Sequence, residues 1–145
     1  MTITESCLET PPDGLRKGIE EFNRGEFFEC HESLEEIWLI ERRPIRCLYQ
    51  GILQIGVALH HLRAERYRPV VTLLRRGSKY LEPFAPLCMG VDVAELLSGV
   101  TRCLADVERL GAGRLNDFDW SVVPKIEIRE PFAGQKEWRT ERQHE

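Results

Sequence analysis

Apolar positions recur at three- and four-residue spacing along most of the chain, the period of helices that bury one face. After Pro11-Pro12, Leu15, Ile19 and Phe22 share a face. Asn23-Arg24-Gly25 then predicts a stop, because glycine takes the left-handed conformation that ends helices. A second helix is predicted from about Glu26 to Arg42. Pro44 ends that stretch and opens a third, which reaches about Arg66. Pro69 opens a fourth, carrying Val70, Leu73, Leu74, Gly77 and Leu81. Asp92 is placed to cap a fifth, whose face is Val93, Leu96, Leu97, Val100, Leu104 and Val107.

The pattern breaks after Gly111. Short connections make neighbouring helices antiparallel. The expectation is an all-α fold: a single five-helix bundle over residues 1–113, with residues 114–145 as an extended C-terminal tail that is part of the same domain or mobile. The tail carries Trp120, Pro124, Trp138 and His144, and Val122 to Ile128 can form one strand-like segment. The third helix is apolar nearly all round, through Leu48, Ile52, Leu53, Ile55, Val57, Ala58, Leu59 and Leu62. A helix of that kind is buried, so it is expected at the centre.

A chain of 145 residues fits one domain, and 42% hydrophobic with 30% charged residues excludes a disordered chain. No apolar run approaches the roughly 20 residues that cross a bilayer, and residues 1–12 lack the apolar stretch of a signal peptide. Cys7, Cys30, Cys47, Cys88 and Cys103 are odd in number, scattered and without a CxxC pair. They are expected as reduced thiols in a cytoplasmic protein, with Cys30, Cys47 and Cys103 as small core residues.

The net charge of −4 argues against nucleic acid, and its distribution says more. Residues 1–36 hold ten acids and three bases, a balance of −7; residues 42–79 hold nine bases and one acid, a balance of +8. Either these are two solvated faces of opposite sign, or the basic face serves an acidic partner or a second copy of the chain. Trp38, Tyr67, Tyr80 and Trp120 are large, and some are expected at helix edges. Aromatic residues and arginine are enriched at interfaces, so a homodimer is the expected assembly. Arg63, Arg66, Arg68, Arg75, Arg76 and Lys79 form a basic run with too few interleaved aromatics for single-stranded nucleic acid.

At 100° per residue the third helix places Gln50, Gln54, Val57 and His61 in one stripe. On the second helix Phe27, His31, Leu34 and Trp38 share a face, with Glu35 one step round and Glu32 toward the rim. A tight link folds the two into a hairpin, which sets His31 level with residues 54–57 and Glu35 nearer Gln50. His31 and Glu35 are therefore expected to be mostly buried against Gln50, Gln54 or His61. Three readings stay open. The polar groups form a closed hydrogen-bond network that fixes helix register. Or His31, Glu35 and His61 hold a divalent metal, with Glu32 or Gln54 nearby; His31-Glu32-x-x-Glu35 lacks the second histidine of H-E-x-x-H. Or the cluster lines a pocket for a small polar ligand, with Glu35 or His31 as acid or base. His60 points away from the stripe, toward the rim.

The stretch Phe22-Asn23-Arg24-Gly25-Glu26-Phe27-Phe28-Glu29-Cys30-His31-Glu32-Ser33-Leu34-Glu35-Glu36-Ile37-Trp38 resembles the opening motif of a family catalogued as domain of unknown function 309. Gln50-Gly51-Ile52-Leu53-Gln54 with His61 resembles its second motif, and Leu73-Leu74-Arg75-Arg76-Gly77 through Leu81 its third. The resemblance covers about Gly18 to Leu97 and implies a small helical bundle found in prokaryotes and plastids. It implies no activity, and leaves open whether the motif residues serve fold or function.

Two classes of function remain. One is a small-ligand or metal-binding protein, or an enzyme, built on His31, Glu32, Glu35, Gln50, Gln54 and His61. The other is a non-catalytic interaction protein whose polar cluster is structural.

Overall fold

The computed structural model describes residues 3–129. Among them are six α-helices: α1 (Ile3–Cys7), α2 (Asp13–Asn23), α3 (Phe27–Ile40), α4 (Arg46–Arg63), α5 (Tyr67–Leu81) and α6 (Val93–Leu110). The all-α class holds, with a two-stranded addition: β1 (Leu87–Cys88) pairs antiparallel with β2 (Val91–Asp92). α1 is a short helix that carries too few turns to show a period. α3 stops at Ile40 rather than Arg42, and α4 starts at Arg46 rather than Pro44. Between them Glu41 accepts backbone hydrogen bonds from Arg42 (3.0 Å) and Arg43 (3.2 Å), a local turn that competes with helix.

α2 ends as expected, with Gly25 at φ +78°. α6 is capped by Asp92, whose Oδ1 accepts from the Glu95 amide at 3.0 Å. Helices α2 to α6 contact their sequence neighbours in turn, the densest contact being α4 on α5. Glycine makes that contact. A Cβ on Gly77 would lie 3.0 Å from the carbonyl oxygen of Gly51 and 2.7 Å from Ile55 Cδ1, so the two backbones approach as only glycines allow. α4 is buried over most of its surface, with Leu48, Ile52 and Ala58 fully inaccessible.

Beyond α6 the chain is not a bare extension. Short 3-10 turns form at Leu115–Asp117 and Trp120–Val122, and Leu115, Phe118 and Ile126 enter the core. Val91 forms one antiparallel bridge with Ile128, which is what becomes of the strand-like segment over 122–128. Trp138 and His144 lie outside the described residues.

The thiol expectation is corrected: Cys7 and Cys88 form a disulfide, S–S 2.11 Å, tying α1 to β1. The Met89 amide donates to the Cys7 carbonyl at 2.8 Å, so the backbones were already adjacent. A pairing 81 residues apart leaves no local signature. Disulfides persist in oxidising surroundings, so the thiols no longer argue for a cytoplasmic location. Cys30 and Cys103 are buried and Cys47 half-buried. No helix among the described residues is long and apolar enough to cross a membrane.

Candidate functional site

The α3–α4 register is fixed by three contacts. A Cβ on Gly56 would lie 3.5 Å from Cys30 Sγ, the Arg63 guanidinium sits 4.9 Å from the Phe27 ring centroid, and that of Arg46 sits 4.1 Å from the Trp38 ring. His31 is thereby level with the middle of the α4 stripe, as the hairpin predicts. Burial differs from the expectation. The His31 side chain is 33% exposed and that of Glu35 50%, with His31 Nε2 3.7 Å from Glu35 Oε2; Glu32 is exposed. Cys30 and Leu34 take the inward positions, leaving His31 at the edge and Glu35 outside. The helical wheel found the right side of α3 but not how little of it α4 covers.

On α4, Gln50 and His61 are half-buried and His60 is exposed. His61 Nδ1 lies 3.5 Å from an Arg66 guanidinium nitrogen. Burial first, then the charges of Arg66 and His60, hold the His61 imidazole below its ordinary pKa. Among the described residues no three histidine, cysteine, aspartate or glutamate side chains are gathered so as to hold a metal ion. His31, Glu35 and His61 thus do not form such a group. Of the six candidates Gln54 alone is buried, at 8% exposure, and its Oε1 has no hydrogen-bond partner among the described residues.

Other residues carry the buried polar chemistry. Glu21, 6% exposed, accepts from Ser33 Oγ at 2.7 Å, and Lys17 Nζ reaches both Ser33 Oγ (3.1 Å) and Glu21 (3.3 Å). Burial and, secondarily, the Glu21 charge push the Cys30 thiol up to about 12, so it is protonated and inert at neutral pH. This network locks α2 to α3. A buried acid at the position of Glu21 interrupts an apolar face, and that was its one signal in the sequence.

The opening motif has a structural account as well. Asn23 pairs with the backbone of Ile126 through Nδ2 to O (2.9 Å) and N to Oδ1 (2.7 Å), much as a strand neighbour would. Its own carbonyl accepts from Lys125 Nζ at 2.6 Å, and the Gly25 carbonyl accepts from Arg63 at 2.9 Å. The bases at this end of α2 satisfy orphan helix-end carbonyls. They line a cleft of about 240 Å³ with Phe27 and Trp120. A larger surface cleft, about 760 Å³, runs between α5 and α6 over Val71, Val100 and Leu104.

What remains uncovered is a face. Gly56 of α4 points at α3 and Gly51 at α5. At 100° per residue the half-buried Gln50, Val57 and His61 then look outward between the two helices, with Gln54 on the same side but covered by its neighbours. The same anchors turn Phe28, His31 and Glu35 of α3, and Leu73, Arg76 and Tyr80 of α5, to that side. Phe28 is 58% and Leu39 61% exposed, with Ile40 at 78% close by.

The proteins this chain matches add no activity. An uncharacterized protein of Aquifex aeolicus (strain VF5) is 34% identical over 50 residues, which is 34% of this chain and 15% of that protein. The uncharacterized protein YpuF of Bacillus subtilis (strain 168) is 31% identical over 90 residues, 60% of this chain and 52% of YpuF. The chain thus spans about half of one relative and a smaller part of the other. Residues 15–73, which hold the first two motifs and the opening of the third, match the family model described as Domain of unknown function (DUF309), the family that the sequence resembles.

Proposed function

We propose that this is a non-catalytic assembly protein that self-associates through the outer face of α3, α4 and α5. The observation that carries the reading is the exposure of Phe28 and Leu39 on the outer side of the helix that also bears the motif histidine and glutamates. Large apolar side chains grouped on one helix mark an interaction surface. The face is large enough: three helices about 10 Å apart and over about 20 Å long present on the order of 600 Å². Standard interfaces cover about 600–1,000 Å² per partner, so the face reaches the lower end of that range. Charge favours a second copy, since the acidic α3 and the basic α5 flank one face.

Analytical ultracentrifugation tests this. A dimer that weakens as salt rises is expected, because exposed charges are screened over about 10 Å at 0.1 M. A monomer at every concentration and salt contradicts it. One observation favours a second reading, a small polar ligand: the cleft of about 240 Å³ that Arg63 and Lys125 line with Phe27 and Trp120. Mass spectrometry under native conditions separates the two, as a ligand adds a discrete mass to a monomer.

A further inference from the structure

We infer that two copies meet about a two-fold axis parallel to α4, so that α3 of each lies on α5 of the other and the α4 stripes face one another. This rests on the self-association proposed above and specifies its interface. A closed dimer must present the same patch on both sides, and a face with an acidic edge and a basic edge allows two orientations. An axis across α4 sets α3 on α3, acid on acid. An axis along α4 sets α3 on α5, acid on base.

The register supports the second orientation without any slide. Cys30 is level with Gly56 and Gly51 is level with Gly77. Stepping along these antiparallel helices carries Glu35 to the level of Gly51 and hence of Gly77, beside Arg76. Phe28 falls at the level of Val70, beside Pro69, and Leu39 at Leu81, beside Tyr80. An axis parallel to α4 preserves these levels, so each copy's Glu35 meets the other's Arg76 and each Leu39 meets a Tyr80. Arg76, at the edge between this face and the α5–α6 cleft, is exposed and has no ion-pair partner among the described residues, so its charge is open to a second copy. Near the axis the stripe meets itself, and glutamine suits that place because its amide both donates and accepts. Gln50, half-buried at the outer edge of the stripe, is the amide such a contact would pair with its counterpart.

The test is a charge swap read by light scattering at low salt. One variant carries Glu35→Lys, the other Arg76→Glu. The substituted sites are exposed, and circular dichroism checks the fold of each variant. Each variant alone sets like charges together twice over, so its dimer is expected to weaken at least about tenfold. Mixed in equal amounts, the two restore complementary charge at both contacts, and the dimer is expected to return. If the wild type dimerises but either variant alone stays equally dimeric, or the mixture stays monomeric, this arrangement is overturned while self-association stands. A monomeric wild type overturns both.

Discussion

Removal of the Asn23 side chain separates a structural from a functional role for the opening motif. Its amide donates to the Ile126 carbonyl at 2.9 Å and accepts from the Ile126 amide at 2.7 Å, holding a residue that is 2% exposed. Each neutral hydrogen bond contributes about 1 kcal/mol net, and a buried backbone group left without a partner costs about 1–3 kcal/mol. Asn23→Ala removes both bonds and strands both groups, one partly rescued by water. The expected loss is about 2–3 kcal/mol, a large share of a stability of about 5–15 kcal/mol. Asn23→Asp keeps the acceptor and loses the donor, so about half of that loss is expected. Urea unfolding followed by helical circular dichroism measures both. Stabilities of both variants within about 0.5 kcal/mol of the wild type would refute the reasoning, since that is the range of a surface substitution.

Reducing the Cys7–Cys88 bridge, or making Cys7→Ser, should lower stability by ~4–5 kcal/mol on the chain-entropy estimate for a sequence separation of 81. Thermal melts with and without reductant check it, and coincident curves would contradict it. Gly77→Ala should destabilise, because crowding the Gly51 carbonyl and Ile55 costs about 1–3 kcal/mol against roughly 1 kcal/mol gained in helix propensity. Gly113→Ala meets nothing within 4 Å and serves as the control in the same urea titration. The Asp92 carboxyl is held below its ordinary pKa by the Glu95 amide first and by Arg129 next. Its contribution is present above about pH 4 and lost as pH falls further, so Asp92→Ala should cost about 1 kcal/mol at neutral pH and progressively less in acid. A difference that does not narrow in acid would contradict the assignment.

The helices were legible because their period, the Gly25 stop and the Asp92 cap are local signals, each written within a few residues. What stayed hidden was set by distant pairings. Cys7 with Cys88, Asn23 with Ile126 and Glu21 with Ser33 join segments whose approach no single stretch encodes. The polar stripe of α4 is level with His31 as expected, but it looks out between α3 and α5 rather than into α3. Its burial was overestimated because a helical wheel gives direction and not cover. α3 leaves Glu35 in solvent, whereas the buried acid is Glu21, on the helix behind it.

The most direct test of the self-association face is the comparison of amide spectra of the labelled protein in dilute and concentrated solution at low salt. The account predicts concentration-dependent shifts grouped on His31, Glu35, Leu39, Arg76 and Tyr80, with the Gln50 side-chain amide among them. The α6 wall of the α5–α6 cleft, at Val100, Thr101 and Leu104, should stay unchanged. Spectra identical at both concentrations, or shifts confined to that wall, would contradict it.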